Sequence, residues 1–111
     1  MSKRDGSLLV TDMLESAEKI ISYTKGLSFD EFEADDKTVD AVIRNFEIIG
    51  EAANRLEEKF KSDNPEIEWN QLRGFRNRIV HEYFGIDLEI VWQIIEDDLG
   101  NLIMRLKEKL A

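Results

Sequence analysis

Apolar residues recur every three or four positions through four long segments of the chain, and this spacing limits the fold more than any other feature of the sequence. It places the apolar side chains of each segment on one face of an α-helix. The segments cover about residues 6–25, 38–61, 69–84 and 87–110, and a short acidic segment lies at residues 28–36. Because no segment shows the pattern of a strand, we predict an all-α fold. The expected architecture is an up-and-down four-helix bundle with a short extra helical turn.

Chain length and composition narrow the class of protein. With 111 residues, the chain fits one domain over residues 1–111. The absence of cysteine excludes disulfides and zinc-thiolate sites, and a single histidine excludes a multi-histidine metal site, so we assign no metal and no cofactor. There is no signal-peptide pattern and no run of about 20 apolar residues that could span a membrane. We therefore expect a cytoplasmic protein without a membrane partner.

The last predicted helix carries apolar residues outside its main stripe. Trp92 and Ile94 predict a second buried face, which a homodimer would cover. Gly50 lies inside another predicted helix, where glycine costs about 1 kcal/mol relative to alanine. Its presence indicates close approach of another backbone within the bundle, of a second copy or of a ligand.

One basic stretch stands out in an otherwise acidic chain. The formal net charge is -9, which argues against non-specific binding of nucleic acid through phosphate neutralisation. Residues 69–81 nevertheless contain no acid and three arginines, Arg73, Arg76 and Arg78. Any contact with nucleic acid is therefore expected to be local, with Arg73 as a supporting residue of the site.

Arg76, His81 and Tyr83 lie at the end of the third predicted helix. On a regular helix, Arg76 and Tyr83 fall within about 20° of each other, whereas His81 lies about 140° from Arg76. Histidine exchanges a proton at cellular pH and arginine binds phosphate through its planar donors, a pair that suits metal-independent RNA cleavage. The alternative is an ordinary helix end, where the dipole favours histidine and arginine.

The second long helix carries a charged stripe at Arg44, Glu47, Glu51 and Arg55. Its simplest interpretation is a set of solvated pairs within one helix, each worth a few tenths of a kcal/mol. The functional interpretation is that this stripe forms one wall of the cleft that holds the reacting groups, where Glu51 orients Arg76 or His81.

Two stretches carry a resemblance to a known family. The run EIEWNQLRGFRNRIVHEYFGIDLEIVWQIIEDDL closely resembles the HepT-like toxins of the HEPN superfamily, and AVIRNFEIIGEAANRL looks like their second helix. The likeness spans roughly residues 12–106. The superfamily motif is an arginine, a polar residue, three further residues, a histidine, any residue and a tyrosine. Arg76, Asn77, His81 and Tyr83 meet it.

The resemblance implies a HEPN-like homodimer in which two motifs face each other and form a ribonuclease site. Arg76 and His81 would then be catalytic, with Asn77 positioning them or the phosphate. Family members usually act as the toxin beside an MNT-type nucleotidyltransferase antitoxin, which transfers AMP to the motif tyrosine, here Tyr83. The leading hypothesis is therefore an endoribonuclease toxin acting on RNA. The alternative is a non-catalytic HEPN module that binds a nucleotide or docks the nucleotidyltransferase.

Overall fold

The computed structural model describes residues 6–75, 80–81 and 85–110. Within these residues lie seven helices and a pair of two-residue strands. In chain order the elements are α1 (Gly6–Thr24), α2 (Phe29–Ala34), α3 (Asp36–Arg55), α4 (Glu58–Asp63), α5 (Trp69–Arg73), β1 (Val80–His81), β2 (Gly85–Ile86), α6 (Leu88–Asp97) and α7 (Leu99–Leu110). The predicted all-α fold is confirmed.

The core lies where α1, α3 and α7 meet. Helix α1 packs against both α3 and α7, α3 also contacts α2 and α5, and α6 contacts α2 and α7. The largest fully buried side chains are Phe32, Phe46, Phe75, Met13, Ile20, Ile49, Ile94, Leu99, Leu106, Val10 and Val42. Among the helices described, none combines the length and the hydropathy needed to cross a bilayer.

Local sequence signals set several helix boundaries. Helix α1 is followed by Gly26, whose φ of 80° lies in the region that favours glycine. Ser28 and Glu31 form a reciprocal capping box at the start of α2. Asp35 caps α3 by accepting hydrogen bonds from the backbone N–H of Thr38 at 3.2 Å and from its hydroxyl at 2.8 Å. These bonds lower the pKa of Asp35, and the bond from the hydroxyl has the largest effect. Asp87 caps α6.

The second apolar face of the last segment is covered within the chain. Ile94 is fully buried, and the ring of Trp92 lies 6.0 Å from that of Phe29 and 5.1 Å from that of Phe32. Helix α2, which the sequence showed only as a short extra turn, supplies both phenylalanines. Trp92 and Ile94 therefore do not require a homodimer, and the predicted dimer rests on the family resemblance.

Two predicted helices are each divided in the structure. The second was expected to reach residue 61, but α3 ends at Arg55 and α4 begins at Glu58. The buried ammonium of Lys61 donates to the carbonyl of Ala53 at 3.2 Å and so satisfies one of the free acceptors at the end of α3. The fourth predicted helix is interrupted at Asp98, between α6 and α7.

Replacing Lys61 with alanine should destabilise the fold. The substitution removes a buried, charge-assisted hydrogen bond and the methylenes of the side chain, so we expect a loss of about 1.5–3 kcal/mol in the free energy of unfolding. Lys59→Ala is the matched control, because Lys59 lies on the same helix with 83% of its side chain exposed. Urea unfolding measures both variants, and equal losses in the two would contradict a capping role for Lys61.

The prediction of a third helix over residues 69–84 was wrong as a continuous helix. Helix α5 ends at Arg73, and the backbone is extended at Val80 and His81, which pair antiparallel with Ile86 and Gly85 respectively. Gly85 has a φ of 86°, again a conformation that favours glycine, and it lies in a strand rather than at the end of a helix. The helical angles calculated between Arg76, His81 and Tyr83 assumed one continuous helix and no longer apply.

Candidate functional site

A polar groove lies between α3 and α5, directly before the motif residues in the chain. Its volume is about 670 Å³. It is lined by Phe46, Glu47, Gly50, Glu51, Asn54, Asn70, Arg73 and Gly74. We call it the α3/α5 groove.

The spacing of residues on two helices produces this groove. On α3, Glu47, Glu51 and Asn54 are four and three positions apart and therefore share one helical face. On α5, Asn70 and Arg73 are three positions apart and share the facing side. Gly50 lets the two helices approach closely, because a Cβ built there would lie 3.3 Å from the carbonyl oxygen of Leu72. The close approach predicted for Gly50 thus occurs within the chain.

An aromatic pair fixes the groove to the start of the motif. The rings of Phe46 and Phe75 pack edge to face with centroids 5.3 Å apart, and both residues are buried. Phe46 also lines the groove, and Phe75 immediately precedes Arg76. Consecutive Cα atoms are about 3.8 Å apart, so the chain passes from the groove directly into the motif.

Glu51 forms the solvated pair that was the simplest interpretation of its charged stripe. It accepts a hydrogen bond from Arg55 at 2.8 Å, and both side chains are more than half exposed, so the pair adds no more than about 1 kcal/mol. It also lines the groove, as does Glu47. The carboxylate of Glu51 therefore stands on the groove wall with Arg55 holding its orientation.

Among the described residues that line the groove, Arg73 carries the positive charge. It is exposed at the end of α5, where the helix dipole favours a positive charge. Within the part of the chain described, no carboxylate forms an ion pair with it. A guanidinium in this state can bind a phosphate with several donors.

The structure brings together two of the predicted site residues, Glu51 and Arg73, on the α3/α5 groove. The backbone of His81 is placed in β1, opposite Gly85. The positions predicted for Arg76, Asn77 and Tyr83, and the side chain of His81, lie outside the described residues. Their roles, and the predicted contact of Glu51 with Arg76 or His81, stay predictions.

Sequence reasoning missed the two asparagines of the groove. Asn54 and Asn70 line it from α3 and α5, and both are exposed. The available signal was the position of Asn54 on the face of Glu47 and Glu51, but its pairing with α5 depends on tertiary packing. Among the described residues, no three acidic or histidine side chains are grouped so that they could hold a metal ion.

Comparison with known families identifies the class of this chain. The family model described as "Ribonuclease HepT-like" matches residues 13–108. The chain belongs to the HepT-like ribonuclease family. The resemblance inferred from the two quoted stretches is thereby confirmed.

Relatives named as ribonucleases are similar over almost the whole chain. "Putative RNase MJ0127" of Methanocaldococcus jannaschii is 40% identical over 108 residues, which cover 97% of this chain and 89% of that protein. "Probable ribonuclease HepT" of Thermococcus cleftensis is 37% identical over 100 residues, 90% of this chain and 91% of that protein. Comparison with solved structures gives no significant match. The predicted class of enzyme, an endoribonuclease, agrees with the HepT-like family and with both names.

Proposed function

We propose that this HepT-like protein is the toxin of a toxin-antitoxin pair and acts as a metal-independent endoribonuclease in the cytoplasm. The observation that carries the proposal is the family match over residues 13–108 around an intact motif of Arg76, Asn77, His81 and Tyr83. The α3/α5 groove supports it, since an exposed arginine without a described partner leads directly into that motif.

The proposed reaction uses the 2'-hydroxyl of RNA as the nucleophile. A histidine takes its proton, the oxygen attacks the adjacent phosphorus, and the bond to the 5'-oxygen breaks as that oxygen receives a proton. The products are a 2',3'-cyclic phosphate and a free 5'-hydroxyl. Arg76 stabilises the negative charge that accumulates on phosphorus, and Asn77 positions the phosphate.

A homodimer completes the proposed site. One general base and one general acid are needed, and each chain has a single histidine, His81. Two copies of His81 facing each other across a two-fold axis would divide these roles. The dimer is inferred from the family resemblance and from this requirement.

Removal of the 2'-hydroxyl tests the proposed reaction. An RNA oligonucleotide should be cut at defined positions, and a single 2'-deoxy substitution on the 5' side of the main cut should abolish cleavage there while other cuts persist. Denaturing gel electrophoresis of end-labelled RNA measures this. Undiminished cleavage at the deoxy position would contradict a 2'-hydroxyl nucleophile.

The proposed antitoxin is an MNT-type nucleotidyltransferase that transfers AMP to Tyr83. The phosphate of AMP attached to Tyr83 would bring negative charge into the motif, where it would compete with RNA for the motif arginine. Incubation with the partner and ATP should raise the intact mass by one or more AMP units, and Tyr83→Phe should abolish the gain. Tyr23→Phe is the control, because Tyr23 is the other tyrosine and is exposed on α1. A mass gain retained in Tyr83→Phe would place the modification elsewhere.

The second candidate is a non-catalytic module that binds a nucleotide or docks the nucleotidyltransferase. The exposed Arg73 favours this candidate, since an arginine can bind phosphate without the help of a histidine. Such a module would bind RNA or the partner equally well after His81→Ala and would cleave no RNA. Cleavage that depends on His81 separates the enzyme from the module.

A further inference from the structure

Two amide side chains stand on opposite walls of the α3/α5 groove. Asn54 belongs to α3 and Asn70 to α5. An asparagine amide carries a donor and an acceptor side by side, which is the pattern that nucleobase edges present. Two such amides with an arginine make a combination suited to a nucleotide rather than to a simple anion.

The size and form of the groove suit one nucleotide. Its volume of about 670 Å³ lies within the range of about 300–1,000 Å³ found for small-molecule sites. Specific RNA recognition uses such a site, since proteins read unstacked bases of single strands by hydrogen bonds to their edges.

We propose that the α3/α5 groove is a nucleotide-recognition subsite that selects the RNA sequence beside the cleaved bond. The inference rests on the proposed ribonuclease activity and adds its substrate preference. Arg73 binds a phosphate of the bound nucleotide, and the amides of Asn54 and Asn70 read the edge of its base. Because Phe75 lies against Phe46 and precedes Arg76, the bound nucleotide is a near neighbour of the one that reacts.

The carboxylates of the groove indicate which bases are preferred. Glu47 and Glu51 only accept hydrogen bonds when ionised, and Arg55 already donates to one carboxylate oxygen of Glu51. A carboxylate attracts an exocyclic amino group, as on cytosine, and repels the carbonyl oxygen that uracil has at the same position. The subsite therefore favours a base with an amino group over uracil.

Cytosine and uracil make the sharpest comparison, because the rings have the same size. Cleavage of a randomised single-stranded RNA, mapped by sequencing of the fragment ends, should show about tenfold preference for cytosine over uracil at one position near the cut. Glu47→Gln and Glu51→Gln should each lower this preference, because an amide can donate to the uracil carbonyl that a carboxylate repels. Asn54→Ala and Asn70→Ala should weaken cleavage of both sequences. The control is Asn101→Ala, an exposed asparagine of α7 outside the groove, which should leave both the cleavage and the preference unchanged.

A binding measurement separates this inference from the proposed function. Fluorescence anisotropy with 2'-O-methyl oligocytidine and oligouridine requires no cleavage. Preferential binding of oligocytidine that Glu47→Gln or Glu51→Gln lowers supports the subsite, even if the protein cuts no RNA. Cleavage without a base preference, or a preference that persists unchanged in Glu47→Gln and Glu51→Gln variants that unfold at the wild-type midpoint, overturns the subsite and leaves the ribonuclease intact.

Discussion

His81→Ala should lose RNA cleavage by about 10²–10⁴-fold, the usual contribution of a general acid or base. The chain has one histidine, so no other side chain of this type can replace it. In a dimer the substitution removes both copies and therefore both the base and the acid of the proposed reaction. The rate of fragment formation under single-turnover conditions measures the loss.

The matched variants for His81 separate chemistry from structure. His81→Gln retains a polar side chain at the same place in β1 but cannot exchange a proton at neutral pH, so it should be as inactive as the alanine variant. Both should bind RNA like the wild type. Full activity in His81→Gln would show that the side chain serves only to hold the strand or the substrate.

Phe46→Ala should destabilise the fold by about 3–5 kcal/mol, a large share of the roughly 5–15 kcal/mol available to a domain. Phe46 is 2% exposed and packs against Phe75, so its loss leaves a cavity between α3 and the chain that leads into the motif. Urea unfolding measures the change. Phe46 also lines the α3/α5 groove.

The control for Phe46 is an exposed aromatic residue. Tyr23 on α1 is 43% exposed, and Tyr23→Ala should change the free energy of unfolding by no more than about 0.5 kcal/mol. A loss below 1 kcal/mol in Phe46→Ala, or equal losses in the two variants, would show that Phe46 does not occupy the core position assigned to it.

Local signals made the first two helices predictable. The apolar stripe of residues 6–25 predicted α1, and the acidic segment at residues 28–36 predicted the short helix α2, because both patterns depend on neighbouring residues. The division after Arg55 was missed because nothing near it breaks a helix. The contact found there comes from Lys61, eight positions along the chain from Ala53, whose ammonium donates to the carbonyl of Ala53.

The strands at residues 80–81 and 85–86 were missed for a related reason. Leu72 and Phe75 are buried as the helical spacing predicted, and that spacing was extended through Val80 to residue 84. The β-branched Val80 favours extended backbone, but two-residue strands give too few positions to show alternation.

A motif at fixed spacing in one segment let the sequence predict Arg76, Asn77, His81 and Tyr83 as site residues, and these stay predictions. Glu51 and Arg73 were proposed as supporting residues, and the structure places both on the α3/α5 groove. Asn54 and Asn70 are 16 positions apart in sequence, so only the contact between α3 and α5 relates them.

The most direct test of the central claim is cleavage of single-stranded RNA by the wild-type protein in excess EDTA, with intact mass confirming that the protein carries no AMP. We predict the same rate of cleavage with and without EDTA, because the proposed reaction uses His81 and Arg76 and no metal ion. Absence of cleavage, or cleavage that returns only when a divalent metal is added, would contradict a metal-independent ribonuclease.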